Sequence, residues 1–202
     1  MALGLNNLAT LFQAQGRYAE AEPHFLRALA IWEKVHGPEH PHVAMTLNNL
    51  ALLYHNQGRD TEAEPLFRRA LAIWEKVFGP EHPDLALGLN NLAEISRVQG
   101  RDTEAESLYQ RALAIREKAL DAEHPHVALG LNNLAALYLR QGRYAEAESL
   151  YQRALAIWEK VLSPEHPHVA NLVKNYATLL RATHREANAA QLEAQWAAQQ
   201  GV

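Results

Sequence analysis

Apolar side chains recur along the chain with the spacing of α-helices. In one segment, an apolar stripe with i, i+3, i+4, i+7 spacing runs from Leu47 to Tyr54 and stops before Gly58. A second stripe follows and ends at the helix-breaking sequence Gly-Pro-Glu-His-Pro. The pattern predicts a helix A over roughly 41–57 and a helix B over roughly 60–78, joined by a short turn.

This two-helix pattern repeats every 42 residues, without insertion or deletion. Three dipeptides mark the period: Asn-Asn begins at positions 6, 48, 90 and 132, Gly-Arg at 16, 58, 100 and 142, and His-Pro at 40, 82, 124 and 166. A weaker fifth unit has Lys174-Asn175 and His184-Arg185 at the matching places. A period of this length is typical of repeat arrays, in which each unit packs mainly on its neighbours.

We therefore predict an all-α fold of about five helix pairs. The predicted organisation is one domain over residues 1–202, with repeats at about 1–40, 41–82, 83–124, 125–166 and 167–202. The polar last helix suits a terminal cap. Because the first unit lacks the His-Pro that opens the others, we expect the chain to be part of a longer array.

Composition narrows the classes of function. The formal charge is −4, which argues against nucleic acid as a partner. Cysteine is absent, which excludes disulfides, thiolate catalysis and cysteine-bound zinc. No apolar run approaches the ~20 residues of a membrane span, and no secretory signal opens the chain. We expect a cytoplasmic protein that does not bind membranes.

No catalytic, cofactor or metal site is predicted. The chain has no Gly-rich phosphate loop and no Gly-x-Ser-x-Gly, and near-identical units do not bring unlike residues into one pocket. The recurrent His-Pro-His is best explained by the first histidine capping helix A, because the proline keeps the two rings from converging on one ion. Trp32, Trp74 and Trp158 recur near the end of helix B, where Arg116 stands in the third unit, and core packing explains them best.

The string Leu-Asn-Asn-Leu-Ala-x-Leu-Tyr-x-x-x-Gly-Arg-Tyr-x-Glu-Ala-Glu resembles the tetratricopeptide repeat. The 42-residue period and the Gly-Pro-Glu-His-Pro loop are similar to the kinesin-light-chain type of this repeat. HEAT and armadillo repeats have comparable periods. The Gly-Arg-Tyr turn and the alanines that recur in both helices, such as Ala51 and Ala63, favour the tetratricopeptide repeat. The resemblance implies a right-handed α-solenoid whose A helices line a concave groove for extended peptides. It does not imply motor function, because the chain has no heptad run.

The paired asparagines are the candidate peptide-binding residues that this resemblance places in the groove. A carboxamide both donates and accepts, so it can pair with a peptide N–H and C=O together. We favour the second asparagine of each pair for ligand contact, with the first as a weaker candidate that could instead bond to the neighbouring helix. The favoured residues are Asn7, Asn49, Asn91, Asn133 and Asn175; the weaker candidates are Asn48, Asn90 and Asn132.

Charged positions on the same helices suggest the chemistry of the ligand. The candidates are His55, Arg97, Arg140, Lys174 and Arg181, and the cations gather towards the C-terminal half. This pattern indicates an acidic peptide or a terminal carboxylate, while ordinary solvated surface is the competing interpretation.

These observations predict a non-enzymatic scaffold that binds an extended, possibly acidic, peptide segment. The expected partner is a protein or peptide. The alternative is a self-assembly module, stacking end to end, or the sensor arm of a larger regulator.

Overall fold

The computed structural model of the protein describes residues 1–199, and within that range it contains ten α-helices and no strand. The A helices are α1 (Ala2–Ala14), α3 (Pro41–Asn56), α5 (Pro83–Val98), α7 (Pro125–Arg140) and α9 (Pro167–Ala182). The B helices are α2 (Tyr18–His36), α4 (Asp60–Phe78), α6 (Asp102–Ala119), α8 (Tyr144–Val161) and α10 (Glu186–Gln199). The predicted all-α class and the five helix pairs are confirmed.

The chain divides into two compact units within α6. The first unit is Met1–Leu108, and the second begins at Tyr109. In the first unit, α1 packs on α2, α2 on α3, α3 on α4 and α4 on α5. The A helix α3 also touches the A helices α1 and α5. In the second, α7, α8, α9 and α10 pack in the same order, and α7 touches α9. The prediction of a single domain over 1–202 stays a prediction.

Four A helices begin at the proline of a His-Pro pair. Proline suits a first helical position because its missing N–H needs no partner there. The histidine before it is the N-cap: His40 Nδ1 accepts the backbone N–H of His42 at 3.2 Å. His82, His124 and His166 accept in the same way from the residue two positions on, at 3.1–3.3 Å. The predicted capping role is therefore observed at all four junctions.

The His40 cap makes stability sensitive to acid, because a protonated Nδ1 cannot accept a hydrogen bond. Burial, with the neighbouring His36 and His42, lowers the pKa of His40 below its usual 6.5. A lowered folded-state pKa means that stability is complete above pH 6.5 and is lost as the pH falls below it. We expect a lower midpoint in thermal unfolding at pH 5 than at pH 7.5. His40→Asn replaces the cap with one that does not titrate, so it should reduce this loss; an equal loss in the variant would exclude His40 as a contributor.

Small residues allow each helix pair to pack closely. The alanines at the matched contact positions are fully buried, at Ala9, Ala51, Ala93 and Ala135 in A helices and Ala21, Ala63, Ala105 and Ala147 in B helices. Buried aromatic rings of the B helices fill the space between layers, at Phe25, Phe67, Tyr109 and Tyr151. This alternation of small and large side chains gives a dense core.

The arginines Arg59 and Arg101 of two Gly-Arg pairs tie the turn to the preceding repeat. Gly58 has a φ of +73°, which glycine adopts without strain, and Arg59 then lies over the ring of Tyr54 at 3.9 Å. Arg59 also donates to Glu22 of the preceding repeat at 2.9 Å and to Glu62, whose pKa this hydrogen bond lowers. Arg17 and Arg143 stack on Phe12 and Tyr138 in the same way.

Candidate functional site on the A helices

The two asparagines of each pair differ in burial. The first is buried at Asn6, Asn48 and Asn132, and half-buried at Asn90. The second is exposed at Asn7 and half-buried at Asn49, Asn91, Asn133 and Asn175. Consecutive helix residues point about 100° apart, so the two members of a pair meet different surroundings. With 3% of their surface exposed, Asn48 and Asn132 offer almost nothing to a ligand.

In the first unit the carboxamides bond to one another from repeat to repeat. Asn49 Nδ2 donates to Asn6 Oδ1 at 3.4 Å, and Asn91 Nδ2 donates to Asn48 Oδ1 at 3.4 Å. Asn48 Nδ2 also approaches Asn49 Oδ1 at 3.5 Å. Asn49 and Asn91 thus each bond to the buried first asparagine of the preceding repeat. We call this set of bonds the amide relay.

The second unit contains the same relay. Asn175 Nδ2 donates to Asn132 Oδ1 at 3.4 Å, and Asn132 Nδ2 donates to Asn133 Oδ1 at 3.4 Å. The relay fixes the side-chain rotamers that a helix would otherwise leave mobile. A carboxamide carries two N–H groups and two acceptor lone pairs, and the bond to the preceding repeat uses only one of these.

A cavity of about 340 Å³ opens beside Asn49 in the first unit. It lies where α3, the end of α4 and the start of α5 meet, and its lining is mostly apolar. The lining residues are Pro41, His42, Met45, Asn48, Asn49, Trp74, Phe78, Asp84 and Leu87. Such a cavity has the size and polarity to receive an apolar side chain, with the polar groups of Asn49 at its edge. Sequence reasoning assigned Trp74 to the core and gave Phe78 no role, because periodicity does not show a gap between repeats.

In the first unit, the predicted charged site residues have acidic partners. His55 Nδ1 lies 2.6 Å from Asp60 Oδ1 at the start of α4. Arg97 forms two hydrogen bonds to Glu94, one turn earlier on α5. Both contacts hold the side chains against neighbouring carboxylates, so Arg97 does not present an uncompensated charge.

The second unit carries the remaining predicted cations. Arg181 donates to Glu193 of α10 at 2.6 Å, while Arg140 and Lys174 are exposed on α7 and α9. The structure therefore places Arg97 in one unit and Arg140, Lys174 and Arg181 in the other. The ligand-binding role of these residues stays a prediction.

Comparison with known proteins identifies the family. The sequence profile of the tetratricopeptide repeat matches residues 1–71, 43–118, 84–146 and 126–195, which together cover nearly the whole chain. The chain belongs to the tetratricopeptide repeat family. Tetratricopeptide repeats form a known family of non-enzymatic scaffolds, and membership in it supports a protein–protein interaction scaffold.

Solved tetratricopeptide repeat structures resemble this one along nearly its full length. Two crystal structures of a Podosopora anserina protein assigned as a kinesin light chain, with nearly identical TPR-like repeats, are 30% identical to it. They match with TM-scores of 0.82 and 0.80 over 98% of this chain and 93% of theirs. BtubC (BKLC) from P. vanneervenii is 24% identical, with a TM-score of 0.86 over 98% of this chain and 78% of its own, and supports the fold. No curated protein matches the sequence.

Two further features of this tetratricopeptide repeat chain concern ions and membranes. Within residues 1–199, no three histidine or carboxylate side chains are grouped so as to hold a metal ion. The rings of His40 and His42 are tilted against each other with their centroids 5.0 Å apart, and they belong to no such group. In the same range, no helix has the length and apolar character that crossing a bilayer requires.

Proposed function

We propose that this scaffold binds an extended segment of a partner protein along its A helices, and that the second asparagine of each pair holds the segment's backbone. The observation that carries the proposal is the amide relay. It aligns half-buried carboxamides at a 42-residue period, with the same bonding in both units. Side chains fixed before binding lose little conformational entropy when they meet a ligand, which favours affinity.

The cavity beside Asn49 supports an extended ligand with an apolar anchor. In an extended chain, successive side chains point to opposite sides. A backbone held by Asn49 can therefore place one apolar side chain between Met45 and Trp74, while its neighbours point towards solvent. Affinity would come from the buried apolar surface, and the asparagines would set the position of the backbone.

The exposed cations of the second unit favour acidic side chains in the ligand. Arg140 and Lys174 lie at the surface of α7 and α9. Charges at exposed positions contribute mainly to the rate of association and to partner choice, and salt weakens these electrostatic contributions. A segment with carboxylates opposite this unit is the ligand that we propose.

A peptide-array screen tests the proposal directly. Wild type is compared with a variant that combines Asn49→Ala, Asn91→Ala and Asn133→Ala. We expect the segments that bind wild type to lose at least about tenfold in affinity, because several backbone hydrogen bonds are removed. Asn188→Ala, on the exposed side of α10, is the matched control and should bind as wild type does.

Thermal unfolding of each variant separates a lost contact from a lost fold. If the folded triple variant binds the same segments equally well, the asparagines serve only to join repeats. The proposed backbone contact would then be wrong, whatever else the scaffold binds.

A further inference from the structure

Arg116, near the end of α6 in the second unit, is a buried guanidinium with an unpartnered donor. Only 6% of its surface is exposed, and its Nη1 is buried without a hydrogen-bond partner. Arginine does not lose its proton at physiological pH, so it must remain charged there. A buried charge without a partner is strongly unfavourable, and other regions of the fold must offset its cost. The position therefore requires an explanation other than packing.

The other repeats show what normally occupies this place. The equivalent residues are Trp32, Trp74 and Trp158. Two of these indoles lie against the residue ten positions on: Trp32 on His42 at 4.5 Å and Trp158 on His168 at 5.5 Å. The residue ten positions after Arg116 is His126. The third repeat therefore has a cation beside this histidine, where the other repeats have the apolar ring of a tryptophan.

Three acidic side chains close to Arg116 in the sequence have other partners. Glu117 pairs with Arg153 at 2.6 Å, and Glu123 pairs with Lys160. The carboxylate of Asp121 accepts the backbone N–H of Glu123. None of these three contacts compensates Arg116.

The groups around His126 are also basic. Burial, and then Arg116, His124 and His168, lower the pKa of His126. These neighbours disfavour a further positive charge at His126 when no anion is present. An anion at this place would be attracted to Arg116 and would favour the protonated imidazole.

A glycine of α7 gives the Arg116 side chain its place in the packing. Gly130 lies one turn after His126, and a Cβ there would be 3.2 Å from Arg116 Nη1. The missing side chain leaves room for the guanidinium. His126 itself is exposed, so this junction meets solvent at its ring, while Arg116 Nη1 lies beneath the surface. Residues 126, 130 and 133 have i, i+4, i+7 spacing, which puts His126 and Gly130 on the same face of α7 as Asn133.

We propose that Arg116 and His126 form an oxyanion-binding site whose ligand is a side-chain carboxylate of the bound partner segment. This inference rests on the function proposed above and specifies one of its contacts. Arg116 would supply a charge-assisted hydrogen bond from Nη1, and His126 would cover the carboxylate from the solvent side. The site accounts for an arginine in a position where three repeats carry tryptophan.

The first experiment uses simple anions. Thermal midpoints are measured at pH 6.5 and constant ionic strength, with chloride replaced by acetate or phosphate. We expect a saturable rise for wild type, about 3 °C at ten times the Kd. Arg116→Trp, which restores the residue of the other repeats, should abolish the rise, and Arg153→Gln should keep it. An equal rise in Arg116→Trp overturns the site, and a rise with phosphate alone overturns the carboxylate assignment.

His126→Asp provides a gain-of-function control. Asp84 occupies the equivalent position of the preceding repeat, so a carboxylate is accepted there. The new aspartate would satisfy Arg116 internally. It should raise the midpoint in chloride and remove the response to acetate. If His126→Asp lowers the midpoint and keeps the response, Arg116 does not face this position and the proposal fails.

The second experiment uses acidic segments selected on the array. We expect Arg116→Trp to weaken them at least about tenfold and to leave their Asp→Asn and Glu→Gln analogues unaffected. Equal binding of the acidic segments by both proteins overturns the site but not the scaffold function. If no segment binds wild type, the proposed function fails, and the anion experiment alone decides whether the site exists.

Discussion

Replacing Phe67 with alanine is expected to lower the free energy of unfolding by about 3–5 kcal/mol. Phe67 is fully buried in α4, and every other described B helix before α10 has an aromatic ring at this position. Removing the ring leaves a cavity between layers that neighbouring helices can only partly close. Because repeats are stable mainly through their neighbours, the loss affects the interfaces on both sides.

Urea unfolding followed by circular dichroism measures this loss. Phe78→Ala is the matched control, because Phe78 ends the same helix and is 39% exposed. It should cost about 1 kcal/mol or less. Equal costs for the two variants would show that the B-helix rings do not form the core described above.

Arg116→Trp is expected to raise the free energy of unfolding by about 1–4 kcal/mol when no binding anion is present. The substitution removes a buried, unpartnered charge and restores the indole that three other repeats carry. Arg116→Met removes the charge without adding a ring, and should also stabilise the protein. The measurement is chemical unfolding in chloride buffer at pH 7.5.

The two arginine variants separate charge from shape. Stabilisation by both would assign the cost to the unpaired guanidinium. Destabilisation by both would mean that Arg116 makes favourable contacts in the folded protein, and the oxyanion site would lose its physical basis.

The helices could be predicted from the sequence because their signals are local and repeated. A proline after a histidine begins an A helix at Pro41, and a Gly-Arg pair ends it, so the predicted bounds differ from the observed α3 and α4 by at most one residue. Four near-identical copies remove most of the ambiguity that a single copy would leave. The contacts of Arg59 in the Gly-Arg pair are harder to predict, because its stacking on Tyr54 and its hydrogen bond to Glu22 both depend on tertiary packing.

The site could be predicted only in part. The sequence shows that both asparagines lie on helix A, but it does not show which one meets the neighbouring repeat. That depends on the 43-residue contact between Asn49 and Asn6. The Arg97–Glu94 pair has a local i, i+3 spacing, whereas the Arg181–Glu193 pair joins two helices and requires the tertiary structure.

The position of Arg116 illustrates the same limit. The sequence shows a tryptophan replaced by arginine, and aligned repeats make this replacement easy to find. Whether an acid compensates it depends on where Glu117 and Glu123 point, and only the folded protein shows that they pair with Arg153 and Lys160.

Side-chain amide resonances test whether the second asparagines hold the backbone of a partner segment. Selective labelling of asparagine allows the NH₂ signals to be followed by NMR while a segment from the array is added. We predict that the signals of Asn49, Asn91 and Asn175 shift to saturation with the segment, while those of Asn56 and Asn188 stay in place. Saturated binding with unchanged signals at Asn49, Asn91 and Asn175 would show that these side chains do not hold the backbone of the segment.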